Sequence, residues 1–244
     1  MDLFSLSGKN ILITGGQGLL GKSFVEAFLQ QGGNVAIIDI DGNSLEQTAS
    51  DLEKRYSQKV RGYACDVSSE VEVEKLIKKV EADFETIHVL HNNAASKSSD
   101  LNKFFTPFED YPYDTWKEVM SVNIDGMFLM AKHVGKHMLE KGIKGSIIQT
   151  SSIYGVCAPD QRIYEGSSYM GREINTPAVY SASKAAVIGL TQYLAAYWGR
   201  RGIRVNTLTP GGMESGQNPT FTEKYGQRVP MNRMGQPQEL VGAL

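Results

Sequence analysis

Asn10-Ile-Leu-Ile-Thr14-Gly15-Gly16-Gln17-Gly18-Leu19-Leu20-Gly21 is the stretch from which the architecture follows. Its first five residues read as a short buried strand, and residues 19–31 read as the helix that follows the glycine turn. Gly16, Gly18 and Gly21 fit Gly-x-Gly-x-x-Gly. Glycines in this place permit a tight turn and bring backbone N–H groups and a helix N-terminus close to a pyrophosphate. The spacing means little by itself; lying between a strand and a helix gives it weight.

The same alternation continues along the chain. Strands are expected at 35–38, 60–64, 87–91, 146–149 and 204–208. Helices are expected at 44–56, 70–84, a long one at 115–140, and 180–198. Strand and helix in turn imply right-handed βαβ units. The expected fold is therefore α/β: a single doubly wound Rossmann-type domain over residues 1–244, its parallel sheet covered by helices on both faces. No linker or low-complexity tract divides it.

Composition narrows the function classes. The chain has 244 residues, enough for one large core, and its 25 basic and 27 acidic residues give a net charge of −2. That balance argues against nucleic acid or an anionic membrane as the main partner. No apolar run approaches the ~20 residues of a membrane span. The start, Met1-Asp-Leu-Phe-Ser-Leu-Ser-Gly-Lys9, lacks the basic and apolar regions of a signal peptide. Cys65 and Cys157 form no Cys-x-x-Cys pair, so free thiols and a cytoplasmic location are expected.

The second expected strand ends at Asp39, 18 residues past Gly21, close to the ~20 at which dinucleotide-binding chains carry an acid. A carboxylate there accepts hydrogen bonds from the adenosine ribose hydroxyls and repels a 2′-phosphate. The residues that follow, Ile40-Asp41-Gly42-Asn43, hold no cation, so NAD is expected over NADP. Asp66, at the end of the third strand beside Val67, either holds the adenine amino group or caps the next helix, with Ser68 or Ser69 as the other candidate caps.

Tyr180-Ser-Ala-Ser-Lys184 opens the 180–198 helix. Residues four apart share a helix face, which sets the Lys184 ammonium beside the Tyr180 phenol. A free tyrosine has a pKa of about 10, and a neighbouring cation favours the phenolate. The phenol is thereby moved toward the range of general acid/base catalysis near neutral pH. His133 and His137 are also four apart, but no cluster of cysteines or carboxylates near them in sequence completes a metal set, so they read as a helix-surface pair and no metal is expected. His88 and His91 read as residues at the ends of the fourth strand.

Taken together, these segments resemble the short-chain dehydrogenase/reductase family from Lys9 to the C-terminus. Asn92-Asn93-Ala94-Ala95 is similar to its Asn-Asn-Ala-Gly segment, with Ala95 in place of the glycine. Val122-Asn123-Ile-Asp-Gly126 is similar to its Asn-x-x-Gly pattern, and Gly145-Ser-Ile-Ile-Gln-Thr-Ser-Ser152 to the strand that delivers the active serine. Asn206-Thr-Leu-Thr-Pro210-Gly211 is similar to the loop that touches the nicotinamide carboxamide. The resemblance implies Tyr180 as general acid/base, Lys184 as the residue that lowers its pKa and binds the nicotinamide ribose, and Ser152 as the hydrogen-bond partner of the substrate oxygen. Ser151 is the alternative serine. Asn123 either orders a water in the proton relay or is a buried amide that fixes local geometry. The cofactor would lie against Gly15 to Gly21 (Gln17, Leu19 and Leu20 included), Asp39, Ile40, Asp66, Val67, Asn93, Ala94, Tyr180, Lys184, Pro210 and Gly211. Ser215 sits where the family often has a cofactor-binding threonine.

The chain departs from the pattern in three places. Ser152 and Tyr180 are 28 positions apart (180 − 152), far more than one short loop. The insert at about 153–179 is polar and aromatic, with too few apolar positions for a second core, and is expected over the active-site mouth, with a substrate lid at about 212–230. Tyr154, Arg162, Tyr164, Glu165 and Tyr169 are its candidate contacts to a hydroxylated substrate. Secondly, the glycine loop and Thr150-Ser-Ser-Ile-Tyr-Gly155 are also similar to the extended branch of nucleotide-sugar epimerases and dehydratases. The compact branch fits better, in particular sugar-active oxidoreductases of bacterial glycan and flagellin modification. Thirdly, the family's final strand is not visible before Leu244, which reads as a truncated end. The resemblance further implies a homodimer or homotetramer, built on the long helix and the Tyr180 helix, and a small hydroxylated substrate such as a sugar or sugar phosphate. A nucleotide-sugar enzyme that recycles its hydride, and a non-catalytic NAD sensor, are the competing readings.

Overall fold

The computed structural model describes residues 4–169 and 171–244. Residues 1–3, part of the start read for a leader, and Met170 of the insert lie outside it. The elements are β1 (Asn10–Thr14), α1 (Leu19–Gln30), β2 (Asn34–Asp39), α2 (Leu45–Tyr56), β3 (Val60–Ala64), α3 (Glu70–Phe84) and β4 (Val89–Asn92). Then come α4 (Leu101–Phe104), α5 (Tyr113–Met120), α6 (Met127–Glu140), β5 (Ser146–Thr150), β6 (Ser168–Tyr169), β7 (Arg172–Glu173), α7 (Ala178–Trp198), β8 (Arg204–Leu208) and α8 (Pro219–Gly226).

Six parallel strands form the main sheet in the order β3-β2-β1-β4-β5-β8, while β6 and β7 pair as a separate antiparallel hairpin. The order reverses between β1 and β4, which opens a crevice at the carboxyl ends of the strands. Both faces of the sheet are covered. One hydrophobic cluster runs from Leu12, Ile38 and Leu90 to Met130, Ile147 and Trp198, and the other from Ile11, Ile13 and Phe24 to Val35 and Ile37. Alternate residues of β1 thus feed opposite layers, as a strand buried on both sides requires.

Four expectations change. The 115–140 helix is two helices joined by a π-helical turn at Ser121–Gly126, and the first begins at Tyr113 behind Pro112. The wider turn accommodates Asn123, whose side chain bonds another loop, and Gly126, where a Cβ would stand 2.7 Å from Val67 Cγ2. His91 is no sheet-end residue: it lies on a central strand, fully buried against Phe24, and bonds Thr150 Oγ1 at 3.0 Å. Burial lowers its pKa to about 3, so the ring is neutral.

His137 is buried as well, accepting from the Ile87 N–H at 3.0 Å and pairing with Glu81 at 2.6 Å. Its partner His133 is met by carboxylates after all, because α3 brings Glu70 and Glu74 to it and all three ligand atoms fall within 4.8 Å. The Lys132 ammonium already neutralises Glu70 there. Finally, the insert does contribute to a small core of its own. Ile163 is buried with Phe221, Tyr225 and Met234, so the missing apolar partners come from the 212–234 segment.

Candidate active site

Every residue of the expected site except Asn123, Tyr180 and Lys184 sits at or just beyond the carboxyl end of a sheet strand. The glycine loop follows β1, Asp39 ends β2, Asp66 follows β3, Asn93 and Ala94 follow β4, Ser152 follows β5, and Pro210 and Gly211 follow β8. Asn123 comes from the π turn and Tyr180 and Lys184 from the first turns of α7.

The glycines divide the work of the loop. Gly15 has φ +65°, and a Cβ on it would be 2.9 Å from the Ala94 Cα. A Cβ on Gly16 would meet Ile37 at 2.7 Å, and one on Gly21 would lie only 2.0 Å from the Gly15 carbonyl oxygen. Gly18 is less crowded: a Cβ there would stand 3.3 Å from that oxygen, a tight contact without the overlap met at the other three. Gly18 is the uncapped N-cap of α1, and the N–H groups of Leu19, Leu20 and Gly21 have no acceptor among the described residues. Three free N–H groups under a crest without side chains fit a pyrophosphate.

Neighbouring contacts fix the loop's shape. Thr14 Oγ1 accepts from the Asn93 and Ala94 N–H groups, both at 3.0 Å, and Asn93 Nδ2 donates to the Thr14 and Gly15 carbonyls. Asp39 accepts from the Gln17 N–H and from the Ile40 N–H, each at 2.9 Å, tying strand β2 to the loop while Ile40 itself is exposed. Asp66 forms a turn with Ser68 through one carboxylate oxygen. Ser69 caps α3, so the cap is not Asp66. Val67 packs inside, in the cluster with Ile38 and Leu90.

Around Tyr180 the geometry separates the two serines. Ser151 is buried and its hydroxyl donates to the Lys184 carbonyl at 2.7 Å, whereas Ser152 caps the turn at Tyr154 and its hydroxyl faces the Tyr180 phenol. Ile153 N–H donates to the Pro210 carbonyl at 2.9 Å, which locks the serine loop to the β8 loop. Asn123 is fully buried and satisfied by protein: its Oδ1 accepts from the Ser96 N–H at 2.7 Å, and its Nδ2 donates to the Ser96 carbonyl and to Ser183 Oγ. Its side chain holds the β4 loop against α7, the geometry-fixing alternative.

The Tyr180–Lys184 pair is arranged differently from the simple helix expectation. Lys184 Nζ stands 5.9 Å from the Tyr180 ring centroid and donates to the Thr150 carbonyl at 3.0 Å. Burial drives the Tyr180 phenol above its ordinary pKa, and the Ser152 hydroxyl works in the opposite direction. Burial also lowers Lys184 to about 8. In this structure burial sets the direction of both shifts. A protonated phenol is the acid form.

Lys184 therefore carries a stability cost. Its folded pKa of about 8 lies below the ordinary 10.5, so the folded state releases the proton more readily. At pH 7 both states hold the proton and the full penalty of burying it is present; it fades as pH rises from about 8 toward 10.5. The difference is worth about 3 kcal/mol. Lys184→Met keeps the volume, removes that penalty and leaves one carbonyl unpaired at about 1–3 kcal/mol. Calorimetry at pH 7 is expected to give a Tm equal to or above that of the parent, with activity lost. A fall of ten degrees would contradict this.

Sequence reasoning missed a tyrosine cluster. Tyr154 and Tyr164 hydrogen-bond each other, Tyr164 reaches Thr176 and stacks on Phe221 at 5.3 Å, and the Gly212 N–H donates to Tyr225 Oη. Tyr164 is thus spent on the wall and does not extend into the site as a substrate contact. Arg162 is likewise engaged, at 2.8 Å on Asp160, which also takes Arg228 of the lid segment at 2.7 Å. Lys224 donates to the Glu165 carbonyl at 2.6 Å. Tyr169 is exposed on the hairpin, and Ser215, also exposed, bonds Gln217. The sequence signal for this coupling was an acid-base set split between two distant segments, which periodicity does not pair.

The model for the short chain dehydrogenase family matches residues 9–226. The chain is a short-chain dehydrogenase. It is 33% identical over 250 residues to sorbose reductase of Candida albicans, covering 100% of this chain and 81% of that one. A short-chain dehydrogenase of Leptospira borgpetersenii, solved with bound NAD+, superposes with a TM-score of 0.84 at 33% identity, covering 98% and 85% of the two chains. A gluconate 5-dehydrogenase of Burkholderia cenocepacia, solved with NADP and tartrate, gives 0.85 at 29% identity, covering 99% and 88%. This short-chain dehydrogenase is accordingly a nicotinamide-dependent oxidoreductase that interconverts alcohol and ketone. Among its described residues no helix is long and apolar enough to cross a membrane.

Proposed function

We propose that the enzyme uses NAD to interconvert a secondary hydroxyl of a sugar or polyol and the corresponding ketone. The observation behind this reading is the convergence of Ser152, Tyr180 and Lys184 at the same carboxyl edge of the sheet from which the uncapped α1 starts. NAD, when bound, supplies the hydride acceptor. The glycine loop and the free N–H groups of Leu19, Leu20 and Gly21 would hold its pyrophosphate, Asp39 its adenosine ribose, and Lys184, Asn93, Pro210 and Gly211 the nicotinamide end. Ser152 donates to the substrate oxygen as charge changes there, and Tyr180 delivers or removes the hydroxyl proton. Asn123 positions the β4 loop and α7. The sugar-active relatives, a sorbose reductase and a gluconate 5-dehydrogenase, support the substrate class. NADH formation at 340 nm on a panel of polyols, sugars and sugar phosphates tests it; a flat trace across the panel would count against the proposal.

Asp39 is the residue on which the choice of NAD over NADP rests, since its carboxylate at the end of β2 would face a 2′-phosphate with like charge. NAD is expected to bind at least tenfold tighter than NADP by titration calorimetry, and Asp39→Ala to narrow that ratio. Tighter NADP binding by the parent enzyme would reverse the assignment.

We also assign a homodimer or homotetramer built on α6 and α7. Between these helices lies a groove of about 350 Å³ lined by Phe128, Tyr193, Tyr197 and Trp198, with Tyr193 63% exposed and Tyr197 56% exposed. Apolar area of this kind is costly in a monomer. Light scattering is expected to give at least twice the 26.9 kDa chain mass, and Tyr193→Glu with Tyr197→Glu to lower it. A parent enzyme that is monomeric at micromolar concentration would remove the assignment. The reading carries a cytoplasmic location, where the free Cys65 and exposed free Cys157 stay reduced.

A further inference from the structure

The insert between Ser152 and Tyr180 carries a short 3-10 turn, Gln161–Tyr164, opened by Asp160, whose side chain accepts from the Arg162 N–H at 3.1 Å. Two side chains of this turn close on one residue. Gln161 Nε2 donates to the Thr176 carbonyl at 2.9 Å, and Gln161 Oε1 accepts from the Thr176 N–H at 3.1 Å. Tyr164 Oη and Thr176 Oγ1 hydrogen-bond each other. Thr176 is buried, and the turn takes its N–H, its carbonyl and its hydroxyl.

Thr176 precedes Pro177, the N-cap of α7. The first N–H groups of a helix have no intrahelical partners, and helix ends fray. α7 has no side-chain cap, and its N-cap proline has no N–H to offer. Tyr180 is the third residue of that helix, so its place depends on how the chain enters it. Val179 anchors the first turn from one side, buried with Phe104 and Val119, and Tyr180 packs against the same cluster. That contact is apolar and without direction, whereas the bonds to Thr176 fix the path of the chain into the helix.

The turn has a firm base of its own on the lid segment. Asp160 takes Arg228 at 2.7 Å, Lys224 donates to the carbonyl of Glu165 at 2.6 Å, and Tyr164 stacks on Phe221 at 5.3 Å. Ile163 is buried with Phe221, Tyr225 and Met234. One side of the turn is thus fastened to α8 and the other to the entry of α7.

We propose that Gln161 and Tyr164 are positioning residues for the reaction, holding Tyr180 opposite Ser152 by clamping Thr176. The proposal deepens the function above and rests on it for the role of Tyr180. Neither side chain touches the substrate or carries its proton; both act through Thr176.

Gln161→Met and Tyr164→Phe in the full chain test the clamp. Methionine keeps the length of glutamine and loses both bonds, while phenylalanine keeps the ring on Phe221 and loses only the hydroxyl. Each is expected to lower kcat about tenfold and to leave the NAD dissociation constant within about twofold of the parent. Because both act through one residue, the double variant is expected to lose much less than the product of the two single losses. The alkaline rise of oxidation is expected to persist in both, since the proton still passes through Tyr180. Amide hydrogen exchange, read without substrate, is expected to quicken at residues 178–183 in both variants and not at residues 14–21. Unchanged exchange at 178–183 in both variants would overturn the proposal, as would loss of the alkaline rise in Tyr164→Phe, which would make that phenol a proton carrier. Parent-level turnover in Tyr180→Phe would sink the role given to Tyr180. Tyr180-dependent turnover with both clamp variants at the parent level would sink the clamp alone.

Discussion

Tyr180→Phe is expected to lower kcat at neutral pH by about two to four orders of magnitude while the NAD dissociation constant stays within threefold of the parent. The range is that of a positioned general acid or base. Phenylalanine keeps the ring that packs at the mouth of α7 and deletes only the oxygen that faces Ser152. Ser152 and the cofactor cradle remain, so residual turnover is expected, as when one member of a cooperating set is removed. The pH profile carries a second signature. Burial holds the phenol above its ordinary pKa. The proton-donating form is therefore present throughout the neutral range, favouring ketone reduction, while the phenolate needed for alcohol oxidation gains only as the medium turns alkaline. Oxidation by the parent enzyme is expected to rise with pH and to lose that rise in Tyr180→Phe. A mutant within tenfold of the parent, with the same profile, would mean that another group moves the proton.

Gly21→Ala is the second large effect. A Cβ at this position would lie 2.0 Å from the Gly15 carbonyl oxygen and 2.8 Å from the Gly16 Cα, both backbone atoms that cannot rotate aside. The loop must open, and it is the same loop that Thr14, Asn93 and Asp39 hold in register. Overpacking of this kind costs about 1–3 kcal/mol of stability. Displacing the N–H cradle by as little as an ångström is expected to cost about 100-fold in the affinity for NAD, the scale of other misplaced sites. Gly18→Ala provides the contrast. Its Cβ would stand 3.3 Å from the Gly15 carbonyl oxygen, tight but not overlapping, so the protein is expected to melt closer to the parent than Gly21→Ala and still lose affinity, because the methyl group stands where the phosphates must approach. Equal NAD affinity in Gly18→Ala and the parent would show that the crest is not the phosphate contact.

Much of this was legible in the chain. The strand, glycine turn and helix at residues 10–31 carry the fold, because two-sided burial of β1 and the absence of side chains at 16, 18 and 21 both leave marks in residue type. The places of Asp39, Tyr180 and Lys184 were legible for a similar reason, each at a strand end or helix start whose pattern is visible, whereas Ser152 came from the family resemblance. The π turn was not, since residues 113–140 keep a helical composition and the widening answers to a tertiary contact between Asn123 and Ser96. The burial of His91 and His137 was hidden too, because a polar residue in a core is decided by partners 50 or more positions away. The expected influence of Lys184 on Tyr180 rested on helical spacing and on the family resemblance. Spacing gives proximity, but the degree of desolvation, which decides the sign of both shifts, comes from tertiary packing, with Tyr180 against the Phe104, Val119 and Val179 cluster and Lys184 against the end of β5.

The most direct test of the central claim is the stoichiometry of NADH and ketone formed from one polyol or sugar by enzyme freed of bound cofactor. One NADH per ketone, with no product when NAD is omitted, is the predicted result. Product formed without accumulation of NADH would contradict it and place the chemistry with enzymes that return the hydride to their own substrate.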